Sequence, residues 1–211
     1  ASSGIGRELA RQLASRGVRL ALCARRLDRL AALREQIVAA GGHAPLVQQC
    51  DVGDWPQVAA LADRVRRELG PADVLVANAG RGAFGPFEQL DPVVGAEVVA
   101  TNLLGVVHSV RAFLPAMLQQ RCGQLVFVSS VLGELPAPRH ALYGATKFAV
   151  SGLAESLDYE LAGRGIRVTL VEPGLVATDF VQVSGTPRER FAQVPSSSAA
   201  QVAAARRLEL L

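Results

Sequence analysis

With 211 residues, half of them hydrophobic and 19% charged, the chain has the make-up of one packed globular domain, which excludes a disordered tail or a coiled coil. Its net charge of +3 is spread over short arginine groups such as Arg64, Arg66 and Arg67, a pattern of solvated helix faces that argues against a nucleic-acid partner. Cys23, Cys50 and Cys122 form no CxxC, and His43, His108 and His140 have no metal-ligand spacing, so neither a disulfide framework nor a metal site is expected.

The chain opens on Ala1-Ser2-Ser3-Gly4-Ile5-Gly6, a glycine turn with no strand in front of it. Amphipathic helical patterns follow over residues 5–16, 27–40, 55–69, 98–120 and 143–162, and a last one over 198–208. Between them, short apolar runs at 19–24, 44–49, 73–77, 124–129 and 166–171 read as strands buried on both faces. Glycines mark the helix ends (Gly17, Gly41, Gly70, Gly163), and Asp54 before Trp55-Pro56 marks a start. This alternation predicts an α/β fold of Rossmann type, a doubly wound parallel sheet with helices on both faces, in a single domain over residues 1–211. The first strand reads as missing, and residues 203–211 stop in a helical pattern without a stop signal, so both termini read as cut. No apolar run reaches membrane-spanning length and no signal-peptide pattern is present, which leads to the expectation of a cytoplasmic protein without a membrane partner.

In open parallel sheets, ligands bind at the carboxyl ends of the strands. Polar or glycine-bearing clusters fall at those ends: Ala24-Arg25-Arg26, Asp51-Val52, Asn78-Ala79-Gly80, Ser129-Ser130 and Pro173-Gly174. Tyr143 and Lys147 stand at i and i+4 on a predicted helix and share one face. Composition singles the pair out, because Lys147 is the only lysine among 22 Lys and Arg residues. A compact ammonium with a tunable pKa differs chemically from a guanidinium. Asn78 and Asn102 are likewise the only asparagines, and Ser130 lies at the end of the run Val126-Phe127-Val128-Ser129-Ser130, with Ser129 as the competing hydroxyl.

Together these residues resemble the short-chain dehydrogenase/reductase family over essentially the whole chain. The glycine turn matches the tail of the family's TGxxxGxG motif, Tyr143 and Lys147 its Tyr-x-x-x-Lys pair, and Asn78-Ala79-Gly80, Asn102 and Ser130 its remaining motifs. The resemblance implies an enzyme that interconverts a carbonyl and a secondary alcohol by hydride transfer with a nicotinamide cofactor. In that reading Asn102, Ser130, Tyr143 and Lys147 are catalytic. Tyr143 exchanges the proton and Ser130 holds the substrate oxygen. Lys147 holds the nicotinamide ribose and, together with the oxidised nicotinamide, lowers the tyrosine pKa, while Asn102 anchors a water of a proton relay. Ser3, Gly4, Ile5 and Gly6 approach the pyrophosphate at the first helix N-terminus. Asp51 and Val52 contact the adenine; Asn78, Ala79, Gly80, Tyr143, Lys147, Pro173, Gly174, Val176 and Thr178 complete the cofactor contacts.

The second strand ends at Ala24 without the acid that NAD enzymes use for the ribose hydroxyls, and of the Arg25-Arg26 that follow, Arg25 is placed to pair a 2′-phosphate, which points to NADP(H) over NAD(H). His140 and the 133–139 loop border the expected substrate pocket, with Leu132, Leu175, Phe180 and Val181 as its apolar candidates. Family resemblance further implies a homodimer or homotetramer built on the helices at 98–120 and 143–162, and a small carbonyl or alcohol as the partner molecule. The competing reading is a protein of the same fold that binds NADP(H) without turnover, as a sensor or scaffold.

Overall fold

Helix boundaries follow from capping chemistry. The structure, a computed structural model, describes residues 1–177, 180 and 197–198. Its helices are α1 (Gly4–Ala14), α2 (Leu27–Ala39), α3 (Trp55–Leu69), α4 (Pro92–Val99), α5 (Gly105–Gln120) and α6 (Ala141–Leu161). The Asp54 carboxylate accepts the Gln57 N–H at 3.2 Å to start α3, and Gly70 ends it at φ 87°. Asp91 caps α4 in the same way, accepting from Val93 N–H at 2.7 Å. The expected helix at 98–120 therefore begins earlier. Gly95 and the β-branched pairs around it weaken the helical pattern there, but Asp91-Pro92 is the stronger start signal. A π-turn over Ala100–Leu104 joins α4 to α5.

Five parallel strands carry the site: β1 (Ala21–Ala24), β2 (Leu46–Gln49), β3 (Val74–Ala77), β4 (Gly123–Val128) and β5 (Ile166–Val171). Each lies within two residues of its expected range. β1 pairs with β2, and the order β3-β4-β5 forms the other part of the sheet. β1 and β3 are not hydrogen-bonded to each other. They face an apolar cavity of about 1120 Å³ lined by Leu9, Leu13, Leu22, Val58, Leu75 and Val106 among others. Burial follows this arrangement and corrects the expectation of uniformly buried strands. Only β4, flanked by two strands and packed with Val106, Val110, Val150 and Ala154 of α5 and α6, is buried almost throughout. The strands beside the cavity or at the outer edges are half-buried.

A second core joins Ala10, Leu22, Leu30, Leu33 and Ile37 of α1, β1 and α2, and a third joins Leu46, Val58, Leu61 and Val65 of β2 and α3. Where α6 turns into β5, Gly165 (φ +79°) passes so close to the turn before β4 that a Cβ would lie 1.9 Å from the Arg121 carbonyl oxygen. Only glycine fits that crossing.

Two further findings depart from the sequence reading. The 29-residue stretch Pro92–Gln120 contains an 18-residue window with a mean hydropathy of 1.6, a third of it buried, and is by length and composition long and apolar enough to cross a membrane. Glu97, His108 and Arg111 interrupt its apolar runs, which is why no single run stands out in the sequence. Here it packs on α3, β3 and β4. Ser198, expected to open a helix, instead lies in β7 (Ser197–Ser198), which pairs with β6 (Val176–Ala177). The rest of that expected helix lies outside the described residues.

Candidate active site

The carboxyl end of β4 and the first two turns of α6 meet at the centre of the site. Past β4, Ser130 caps a short turn, its Oγ accepting the Leu132 N–H at 3.2 Å. α6 presents Tyr143 and Lys147 one turn apart, both buried, at 7% and 5% exposure. The Lys147 Nζ donates to the Val128 carbonyl at 2.9 Å and lies 5.7 Å from the Tyr143 ring centre. Burial lowers the Lys147 pKa to about 8. Burial also raises the Tyr143 pKa, and a hydrogen bond with Ser130 pulls it part of the way back. The sequence leads to the expectation of a phenol acidified by Lys147 together with an oxidised nicotinamide. In the structure the ammonium stands over the ring and desolvation dominates, so the shift of this chain's own phenol runs upward.

Asn102 sits fully buried in the π-turn, and both of its polar atoms are engaged. Its Oδ1 accepts the Arg81 N–H at 2.8 Å, and its Nδ2 donates to the Arg81 carbonyl at 2.9 Å and to Thr146 Oγ1 at 3.1 Å. Thr146 Oγ1 in turn donates to the Tyr143 carbonyl at 2.7 Å. One side chain thus locks the loop after β3 to the helix that carries Tyr143. An ion pair of Arg81 with Glu97 of α4 fastens the same loop from outside. A Cβ on Gly80 would lie 3.5 Å from Asn102 Oδ1 and 3.7 Å from Lys147 Nζ, which places Asn78-Ala79-Gly80 directly over both.

Ser129 has a different job from Ser130. Its Oγ donates to the Lys147 carbonyl at 3.1 Å and shares a 2.9 Å hydrogen bond with Ser151, whose hydroxyl also bonds the Glu172 carboxylate at 3.1 Å. Burial, then a hydrogen bond with Glu134, raises the Glu172 pKa. This chain ties the ends of β4 and β5 to the middle of α6. It was invisible in the sequence because its three members are separated by more than 20 residues and carry no motif.

Around the glycine turn the structure offers a cradle for an anion. Ser3 begins α1 without a side-chain cap, and no acidic residue occupies the first turn of Gly4, Ile5 and Gly6. A Cβ on Gly6 would fall 2.7 Å from Asn78 Nδ2, so the turn is packed as only glycine permits. The Arg26 guanidinium donates to Ser2 Oγ at 3.3 Å and Ser3 Oγ at 3.1 Å, while the half-exposed Arg25 lies 4.0 Å from Asp51. Asp51 Oδ1 accepts the Gly53 N–H at 2.9 Å, a turn-stabilising bond. Val52 packs against Gly105, and its carbonyl lies 3.0 Å from His108 Nδ1. The Pro173 carbonyl accepts the Val131 N–H at 3.0 Å beside the exposed Gly174, and Val176 follows in β6. Thr178 and Val181 lie outside the described residues.

The sequence reading missed Phe84. Its ring, on the loop after β3, stands 5.4 Å from Tyr143 and 4.8 Å from His140. A lone aromatic in the glycine-rich stretch Gly80-Arg81-Gly82-Ala83-Phe84-Gly85 was the available signal. Among the described residues no three His, Cys, Asp or Glu side chains cluster as metal ligands.

The short chain dehydrogenase family model matches residues 1–189. The chain belongs to the short-chain dehydrogenase family. Members of this family act as oxidoreductases on CH–OH and carbonyl groups. This short-chain dehydrogenase is 38% identical over 202 residues to the glycine betaine reductase of Emericella nidulans, covering 96% of its own length but only 16% of that much longer protein. Among solved structures it is similar to an alcohol dehydrogenase from the archaeon Thermococcus sibiricus complexed with 5-hydroxy-NADP. The TM-score is 0.87 and the identity 31%, over 97% of this chain and 85% of that one. It is equally similar to a short-chain dehydrogenase/reductase from Burkholderia phymatum in complex with NAD, at a TM-score of 0.90 and 31% identity, over 97% and 80% of the two chains. The parallel α/β architecture of the short-chain dehydrogenase is thereby placed among nicotinamide-binding relatives.

Proposed function

We propose that the protein is an NADP(H)-dependent oxidoreductase interconverting a carbonyl and a secondary alcohol, with Tyr143 as the acid and base. The observation that carries this reading is the burial of Ser130, Tyr143 and Lys147 together at the end of β4, with the chain's only lysine held over the phenol ring. A tyrosine whose pKa is raised by burial is fully protonated at neutral pH, so it is set to give its proton to a carbonyl oxygen. Ser130, whose interaction with the phenol partly offsets the burial shift, can hold the same substrate oxygen as negative charge develops on it. Lys147, with its pKa lowered to about 8, is still mostly ammonium at pH 7 and offsets the charge that proton transfer leaves on Tyr143. When bound, the nicotinamide supplies the hydride in reduction and takes it in oxidation.

The residues present fit that cofactor. The uncapped start of α1 with Ser3, Gly4, Ile5 and Gly6 suits a diphosphate, and Asn78, Ala79 and Gly80 roof the place where Lys147 would meet the ribose. Asp51 and Val52 would border the adenine, while Pro173, Gly174, Val176 and Thr178 would border the nicotinamide. NADP(H) is favoured over NAD(H) because Arg25 and Arg26 follow β1 where an acid would be needed for a free ribose diol. Arg26, already reaching Ser2 and Ser3, is better placed for a 2′-phosphate than Arg25. Because both Nδ2 protons of Asn102 are engaged, its side chain could meet a water of a proton relay only as an acceptor, through the second lone pair of Oδ1.

The same reading takes residues 1–211 as one domain acting in the cytoplasm. It pairs the exposed Leu104, Val107, Phe148 and Tyr159 of the α4–α5 and α6 helices across a homodimer or homotetramer. The deciding experiment is Tyr143→Phe assayed with NADPH and a panel of carbonyls. Turnover is expected to fall by about 10²- to 10⁴-fold while NADPH binding, followed by fluorescence titration, is retained. Undiminished turnover would sink the mechanism.

A further inference from the structure

Tyr143 must meet a substrate, yet it is 7% exposed, and what covers it is aromatic. The Phe84 ring stands 5.4 Å from the Tyr143 ring at 79°, Phe180 stands 5.7 Å from it at 57°, and Phe84 and Phe180 are 6.1 Å apart at 60°. His140 leans on the outer side of Phe84 at 4.8 Å. These are edge-to-face and tilted contacts, in which the positive edge of one ring meets the negative face of the next.

The Phe84 and His140 side of the wall is tied by its backbone to the helix that carries Tyr143. The N–H of Gly85, next to Phe84, donates to the Arg139 carbonyl at 2.9 Å, and Arg139 holds a left-handed backbone (φ 64°) that costs a non-glycine residue free energy. His140 Nδ1 lies 2.7 Å from the Pro138 carbonyl, which can only accept, so this nitrogen carries the proton. The His140 carbonyl accepts from Gly144 N–H at 2.7 Å, one residue beyond Tyr143. Phe84 and His140 are therefore anchored to the start of the helix that carries Tyr143, and Phe180 reaches the same ring from beyond β6.

We propose that this aromatic wall selects carbonyl substrates bearing an aryl group next to the carbonyl. The inference rests on the oxidoreductase reading given above. A substrate oxygen that reaches Tyr143 and Ser130 must bring its neighbouring substituent against Phe84 and Phe180. An aryl ring there replaces ring–ring contacts with contacts of the same kind, whereas an alkyl group of equal size offers area alone. A quaternary ammonium, the other group that aromatic walls attract, is disfavoured because the Lys147 ammonium already stands over the Tyr143 ring.

The test compares, with NADPH, acetophenone and cyclohexyl methyl ketone, which match in carbon skeleton and differ in the π face, together with trimethylammonio-acetaldehyde. The aryl ketone is expected to exceed the cyclohexyl ketone in kcat/KM by about tenfold, equivalent to about 1.4 kcal/mol. Phe84→Leu and, separately, Phe180→Leu should bring that ratio towards one, a change in selectivity that a purely structural role would not produce. Equal kcat/KM for the two ketones, or a preference for the quaternary ammonium aldehyde, would overturn the inference and leave the oxidoreductase standing. An unchanged ratio in both variants would overturn the assignment to this wall. Absence of turnover with every carbonyl would refute the oxidoreductase reading and this inference with it.

Discussion

Replacing Lys147 with methionine should remove a pH-dependent destabilisation that the wild-type chain carries at neutral pH. The ammonium is 5% exposed, and it donates to a neutral carbonyl, that of Val128. Its pKa is depressed from 10.5 to about 8 on folding, so between those values the unfolded chain holds the proton more tightly than the folded one. Stability must then rise with pH across that window, and below about pH 8 the folded state bears the full cost of the buried charge. The limiting cost is about 3 kcal/mol, of which roughly 2 kcal/mol should be recovered between pH 7 and pH 9.5. Methionine fills nearly the same volume without a charge, so Lys147→Met should lose this rise. Other groups that titrate over the window, including Cys23 with its pKa lowered to about 7 by a hydrogen bond from Cys50, are common to both chains and cancel in the difference. Urea unfolding at the two pH values, followed by the fluorescence of Trp55, the single tryptophan, provides the measurement. An equal pH dependence of stability in the two proteins would refute the argument, whatever their activities.

Two other substitutions probe separate parts of the site. Arg26→Ala is expected to weaken NADPH binding by about tenfold and Arg25→Ala by less, with NADH binding unchanged in both; a titration showing no selective loss in either removes the 2′-phosphate argument. Gly133→Ala would set a Cβ 2.5 Å from Ser129 Oγ and 2.7 Å from Ser151 Oγ, forcing apart the hydroxyls that link α6 to β4. It should cost about 1–3 kcal/mol in a denaturation experiment, and a loss below the error of the measurement would show that the serine chain is slack.

The parts of the fold that could be read from the sequence were those set by local chemistry. β5 was placed at its observed bounds and the other strands within two residues, because short apolar runs between glycine-stopped helices have few other ways to fold. Asp54 acted as the N-cap its sequence context indicated. Tyr143, Lys147 and Ser130 were legible through scarcity and spacing. What the sequence did not show was a matter of tertiary packing. Nothing local says that Asn102 would direct both polar atoms of its side chain to Arg81 and Thr146. Nothing local says that desolvation would outweigh the ammonium in setting the Tyr143 pKa, because that balance depends on Phe84 and Phe180 closing over the ring. The arginine closer to the glycine turn proved to be Arg26, since residue-to-residue direction at the end of a strand alternates and sequence adjacency does not decide it.

The hydrogen bond from Gly85 to Arg139 joins two loops and leaves the β-strands untouched. The groups proposed to handle protons stand on α6, on the π-turn and at the end of β4, whereas Phe84 and His140 stand on segments spliced between those elements. The proposed chemistry and the proposed selectivity thus fall on different parts of the chain. A lineage could exchange the residues around positions 84 and 140 and acquire a new substrate without re-evolving its acid and base, provided that the two loops change together.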